Sequence, residues 1–130
     1  MLLLGVYLAW ASTAWADRPS DLWTPQTKTA TATTAQTDTT LWTPASGKRF
    51  HLQGCAISSD GAVRVELEVS NTDVIPPISL ASSGTEVISA GGALLYSSAT
   101  DALLTYSTSI TGVSGTHRSV SVLCWGYESQ

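Results

Sequence analysis

Residues 42–71 read WTPASGKRFHLQGCAISSDGAVRVELEVSN, and this stretch decides the fold. Within it, residues 62–69 alternate strictly. Val63, Val65, Leu67 and Val69 share one face, and Arg64, Glu66 and Glu68 share the other. Successive side chains on a strand point to opposite sides, so the pattern predicts a β-strand with one dry and one wet face. The run Ser58-Ser59-Asp60-Gly61 just before it is a turn signal, with Gly61 able to supply the positive φ of a tight hairpin. Residues 49–57 form a less regular strand on the near side of that turn. The expectation is a hairpin of two strands anchoring a β-sandwich.

Working outward, the rest of the chain has the same character. Residues 74–80, VIPPISL, carry two prolines, which exclude a central strand and predict an edge or crossover segment. Residues 85–90 form a short strand, and Gly91-Gly92 breaks it. Residues 93–96 are brief. A strand follows over residues 102–110, then a Gly-rich loop over 111–115. Residues 120–127 close the chain as a strand, apolar on both faces around Leu123, Cys124 and Trp125, and therefore interior or covered by a second subunit. On the N-terminal side, residues 27–34 read TKTATATT, a Thr-rich first strand with small side chains, suited to an edge. About eight short strands separated by turn residues define an all-β, jelly-roll-like single sandwich over residues 27–130. The predicted core contains Trp42, Phe50, Val63, Val65, Leu67, Val69, Leu103 and Val122.

Composition agrees. The chain has 130 residues, enough for one domain with a real core. Only 12% are charged, so Ser and Thr make most of the polar surface. A net charge of -4 and a pI near 4.8, with no Lys/Arg cluster, argue against a nucleic-acid partner.

Residues 1–26 are an apolar arm and linker. Residues 1–16 read MLLLGVYLAWASTAWA, and two readings compete. One is a retained arm whose Leu4, Tyr7, Leu8, Trp10 and Trp15, with Trp23 beyond, bury themselves against another subunit, since a contiguous apolar patch of that size marks an interface. The other is a signal peptide cut after Ala14-Trp15-Ala16, although no Lys or Arg precedes the apolar run. The run is shorter than the roughly 20 residues of a membrane span, which leaves membrane contact of the arm as a weak option. The tetrapeptide Leu-Trp-Thr-Pro occurs at residues 22–25 and again at 41–44. Each Trp is read as a plug at one end of the sandwich, and each Pro as a strand end.

Candidate chemistry is sparse. Cys55 and Cys124 are read first as two buried thiols acting as small hydrophobes, with a disulfide as the alternative. A bridge would accord with secretion and free thiols with a reducing cytoplasm. His51 and His117 stand in no metal-ligand frame and read as surface or loop histidines. Glu66 and Glu68 share a face, but outward carboxylates on a strand normally form a solvated surface. No loop offers the oxygens that calcium needs, and no Ser occupies a nucleophile elbow. The expectation is a protein without catalytic residues, metal or cofactor.

From about Thr29 onward the chain resembles a family of small β-sandwich domains in tailed-bacteriophage virion proteins, found as head-decoration, head-fibre and tail-associated modules. The resembling residues are the Thr/Ala-rich first strand with Gln36-Thr37-Asp38, the run from Pro44 to Phe50, Gly54 and Ile57-Ser58. They continue with Pro77 to Ala81, Gly91-Gly92, Asp101-Ala102-Leu103, and Val122 to Tyr127. The resemblance implies a structural or adhesive role in a virion, homo-oligomerisation, often as a trimer, contact with a capsid or tail protein, and no catalytic residues. The apolar arm is not part of that pattern. The competing expectation is a secreted extracellular filament subunit or adhesive module. A weaker third is a carbohydrate-binding sandwich with surface Trp or Tyr as stacking platforms.

Overall fold

The computed structural model describes residues 24–109 and 119–130, and these form a two-layer β-sandwich. The strands are β1 (Thr24–Ala32), β2 (Gln36–Trp42), β3 (Arg49–Ser59), β4 (Val63–Val69), β5 (Thr72–Asp73), β6 (Ile78–Leu80), β7 (Gly84–Ser89), β8 (Tyr96–Ser97), β9 (Leu104–Ser109) and β10 (Val120–Ser129). One sheet runs β1-β10-β3-β7, with β8 also on β3. The other runs β2-β9-β4-β5, with β6 also on β4. Every pairing is antiparallel. The first four strands alternate between the sheets, and the last two, β9 and β10, do so again. This is the jelly-roll arrangement.

The cause lies in the alternation of β4. Its four apolar residues are buried and need a second apolar surface. Phe50, Leu52, Cys55 and Ile57 on β3 supply that surface, with Val120, Val122 and Cys124 on β10. The expected β3–β4 hairpin is therefore not formed. β3 pairs with β10, β7 and β8, whereas β4 pairs with β9, β6 and β5. A hairpin would set the two strands side by side in one layer. The turn at residues 60–62 instead carries the chain across the sandwich, so that the two buried faces look at each other. Ser59 Oγ braces this crossing by donating to the Gly61 carbonyl (2.8 Å) and accepting from the Gly61 N–H (3.2 Å). Positive φ is found at Gly47, Gly91 and Gly92 rather than at Gly61. The tight hairpin lies one strand later. Ser70 and Asn71 both take positive φ (52° and 59°) and join β4 to β5 with Val69 opposite Thr72, the pattern of a two-residue type I′ turn.

Four further expectations change. Leu103 is 43% exposed, and Leu104 is the buried residue. A one-residue shift of register moves every side chain to the opposite face, and here Leu104, Tyr106 and Thr108 face inward. Residues 36–42 form a strand that the Thr-rich sequence does not announce. Its outward residues are polar, and Asp38 breaks the regular ladder at a φ of 47°. The sheet begins at Thr24, so β1 takes in three residues counted with the linker. Trp42, Phe50, Val63, Val65, Leu67, Val69 and Val122 are all buried. The favoured reading of Cys55 and Cys124 as free thiols is replaced by a disulfide. The two residues are direct cross-strand partners on β3 and β10, with Cα atoms 4.1 Å apart. That position is a close-spaced antiparallel pair with both side chains on the buried face. Leu4, Tyr7, Leu8, Trp10, Trp15, Trp23 and His117 lie outside the described residues.

Polar pins close one end of the core. The Trp42 Nε1–H donates to Glu128 Oε1 (2.8 Å) and the Ala45 N–H to Glu128 Oε2 (3.1 Å). Glu128 is only 5% exposed, so these bonds hold a carboxylate inside the sandwich. Phe50 stacks on Trp42 with ring centroids 5.2 Å apart, and Lys28 Nζ sits 5.9 Å from the Trp42 ring.

Candidate interaction surface

β10 is central in its sheet, between β1 and β3, so its outward residues sit in the middle of a broad face. Strand register sets that face in rows across β1, β10, β3 and then β8 or β7. The first row is Pro25, Tyr127, His51 and Ser97, and the second Thr27, Trp125, Gly54 and Ser89. The third is Thr29, Leu123, Ala56 and Val87, and the fourth Thr31, Ser121, Ser58 and Thr85. No Lys, Arg, Asp or Glu stands in these rows. Arg49, opposite Ser129, begins the charged border. Four strands about 4.8 Å apart, with alternate residues about 7 Å apart, give a face on the order of 500 Å². Val87 is 59% exposed upon it.

Trp125 is the centre of this face, and Gly54 fixes how it lies. A Cβ built on Gly54 would come within 2.7 Å of three neighbouring atoms of the six-membered indole ring at once. Only a point above the ring plane meets that condition. The indole therefore lies flat across β3 with one face on Gly54 and the other turned outward, and Trp125 keeps intermediate exposure. A register shift in the β3–β10 pairing sits beside it, next to Gly126, where any Cβ would strike the His51 carbonyl. Glycine at both positions lets the strands close up beneath the indole.

One row along, His51 stacks on Tyr127 (centroids 4.6 Å apart, 23° between planes). Its ring nitrogens lie 2.8 Å from Ser97 Oγ and 2.8 Å from Ser129 Oγ. Burial, and secondarily the Arg49 charge, lower its pKa below the usual histidine value, so the ring is neutral at pH 7. Hydroxyl groups tie neighbouring strands together within the fourth row, as in Thr31 with Ser121 (3.3 Å) and Ser58 with Thr85 (2.8 Å).

The opposite face, on the second sheet, is acidic. A groove of about 420 Å³ is lined by Gln36, Asp38, Glu66, Glu68, Asn71 and Ser107, among others. Arg64 pairs with Glu66 at 2.7 Å. Desolvation first, then the Asp38 and Asp73 charges, raise the Glu68 pKa, and a hydrogen bond from Ser107 opposes the shift. Among the described residues no group of three or more His, Cys, Asp and Glu is placed to hold a metal ion. Glu66 and Glu68 lie on this solvated face. Sequence reasoning named Trp125 as part of an apolar strand but not as a platform, because the signal is its register opposite Gly54, which only the fold reveals.

No protein-family model matches the chain, and no curated protein does either.

Proposed function

We propose that the protein is a non-enzymatic structural component of a bacteriophage virion, decorating or cementing the capsid or associated with the tail. It acts by oligomerising and by docking through its apolar N-terminal arm. The observation that carries this reading is the place of β1. Among the described residues, the strand that follows the arm is an edge of its sheet, paired with β10. A segment leaving from an edge strand can reach a neighbouring subunit without disturbing the sandwich, and an open edge is itself a surface for strand addition. The jelly roll is an architecture of viral capsid domains, an argument by fold alone. Burial of Leu4, Tyr7, Leu8, Trp10 and Trp15 in the neighbour would stabilise the assembly at about 25 cal/mol per Å².

The test is sedimentation of the full chain beside a chain lacking residues 2–16. The full chain, 13.6 kDa per copy, is expected to run as a trimer or another defined oligomer, and the shortened chain as a monomer. A full chain that stays monomeric at about 100 μM, well above the Kd of a stable complex, would overturn the proposal.

A second reading is favoured by the Cys55–Cys124 disulfide. Bridges of this kind persist in oxidising compartments, which fits a secreted filament subunit or adhesive module whose first 16 residues are removed. The intact mass of the natural protein separates the two, since cleavage removes the arm on which the first reading depends.

A further inference from the structure

We infer that the outward face around Trp125 is a binding platform for a neutral carbohydrate chain. The flat indole is the first ground. A Trp that anchors a protein interface fills a pocket of its partner. Trp125 lies flush with the sheet on Gly54 and has nothing to insert, but offers a plane of the kind on which the C–H face of a pyranose stacks.

The second ground is the surroundings. Thr27 and Thr29 stand exposed on β1 beside Trp125 and Leu123, and Ser89 lies beyond Gly54. Hydroxyls next to an aromatic plane match a ligand that is itself apolar on its faces and hydroxylated at its edges. Tyr127, stacked on His51, follows about 7 Å along β10.

The third ground is charge. A single-stranded nucleic acid also stacks on aromatic rings, but it requires a basic groove, and these rows hold no Lys or Arg. An anionic glycan would likewise find no cation within these rows. A neutral saccharide is the ligand that this chemistry fits.

The test is native-gel electrophoresis of the full chain in gels containing hydroxyethyl cellulose, galactomannan or a soluble β-1,3-glucan, with tryptophan fluorescence followed in solution. At least one of the three is expected to retard the protein and change its fluorescence, with an affinity that shifts less than twofold as NaCl rises. Trp125→Ala should weaken binding at least tenfold. Because that variant can disturb the sheet, the exposed double change Thr27→Ala with Thr29→Ala serves as a second probe. Loss of two ligand hydrogen bonds should weaken binding by about fivefold or more in a protein whose melting is unchanged. No retardation by any of the three polymers would overturn the inference, as would binding that neither variant alters. So would a wild-type dimer that binds none of them and that Trp125→Ala dissociates, because the face would then belong to a second copy.

Discussion

Reduction of the Cys55–Cys124 bridge should lower stability without changing the folded structure. The two residues are 69 apart in sequence, and the chain-entropy relation for a loop of that length gives about 4 kcal/mol at 25 °C. The effect should lie mostly in the unfolded state, because β3 and β10 are already held by ladder pairing from Arg49 to Ser59. With a urea dependence of about 1.5 kcal/mol per M, the midpoint should fall by about 2.7 M. The assay is urea unfolding followed by tryptophan fluorescence, with and without a phosphine reductant, and far-UV circular dichroism of the reduced form in buffer. A Cys55→Ala/Cys124→Ala variant should lose more, since both side chains are fully buried and their sulfur volume would be left empty. Equal midpoints with and without reductant would refute the reasoning. Loss of the β-sheet spectrum on reduction in the absence of urea would refute it differently, by showing that strand pairing alone cannot hold the sheet.

Three other outcomes follow from single contacts. Gly54→Ala places a methyl carbon against the face of the Trp125 ring, far inside van der Waals contact, and should cost about 1–3 kcal/mol in a thermal melt, with red-shifted emission as the indole lifts into water. Trp42→Phe keeps the stack on Phe50 but removes one of the hydrogen bonds to the buried Glu128 carboxylate. A urea melt should show a loss of about 1.5–3 kcal/mol, the range for hydrogen bonds to charged groups. Glu68 has a raised pKa in the folded state, so its contribution to stability is fully present below the unfolded value of 4.5 and is lost as pH rises through the folded one. Glu68→Gln should therefore melt higher than the wild type at pH 7 and equal to it below about pH 4. A variant that melts lower at pH 7 would count against this account.

The sequence carried the layers better than the pairings. The alternation of residues 62–69 marks a half-buried strand whatever its neighbours, and the structure buries those four apolar residues. The turn before it is different. Ser-Ser-Asp-Gly can close a hairpin or carry a chain between sheets, and only the apolar surface of β10 decides, by giving β3 another partner. β2 was illegible for a related reason. Its outward Thr and Asp residues look like loop, and its apolar residues, Leu41 and Trp42, come at the end of the strand. Leu103 and Leu104 are adjacent identical residues, so no pattern could say which would face inward. The Cys55–Cys124 pair and the Trp125–Gly54 contact both depend on the same β3–β10 register. Neither follows from the one-dimensional order of residues separated by most of the domain.

The two outer faces differ in a way that bears on how the molecule meets its surroundings. Asp38, Glu66, Glu68 and Asp73 gather on the second sheet around one arginine, Arg64, while the rows around Trp125 hold no charge. The sandwich is thus polarised through its thickness. Beside an anionic surface, repulsion acts more strongly on the second sheet and applies a torque that turns it away. The neutral face then arrives first. This orientation needs no specific contact. It should weaken with salt over a Debye length of about 10 Å at 0.1 M, even though whatever the neutral face then grips should be held independently of salt.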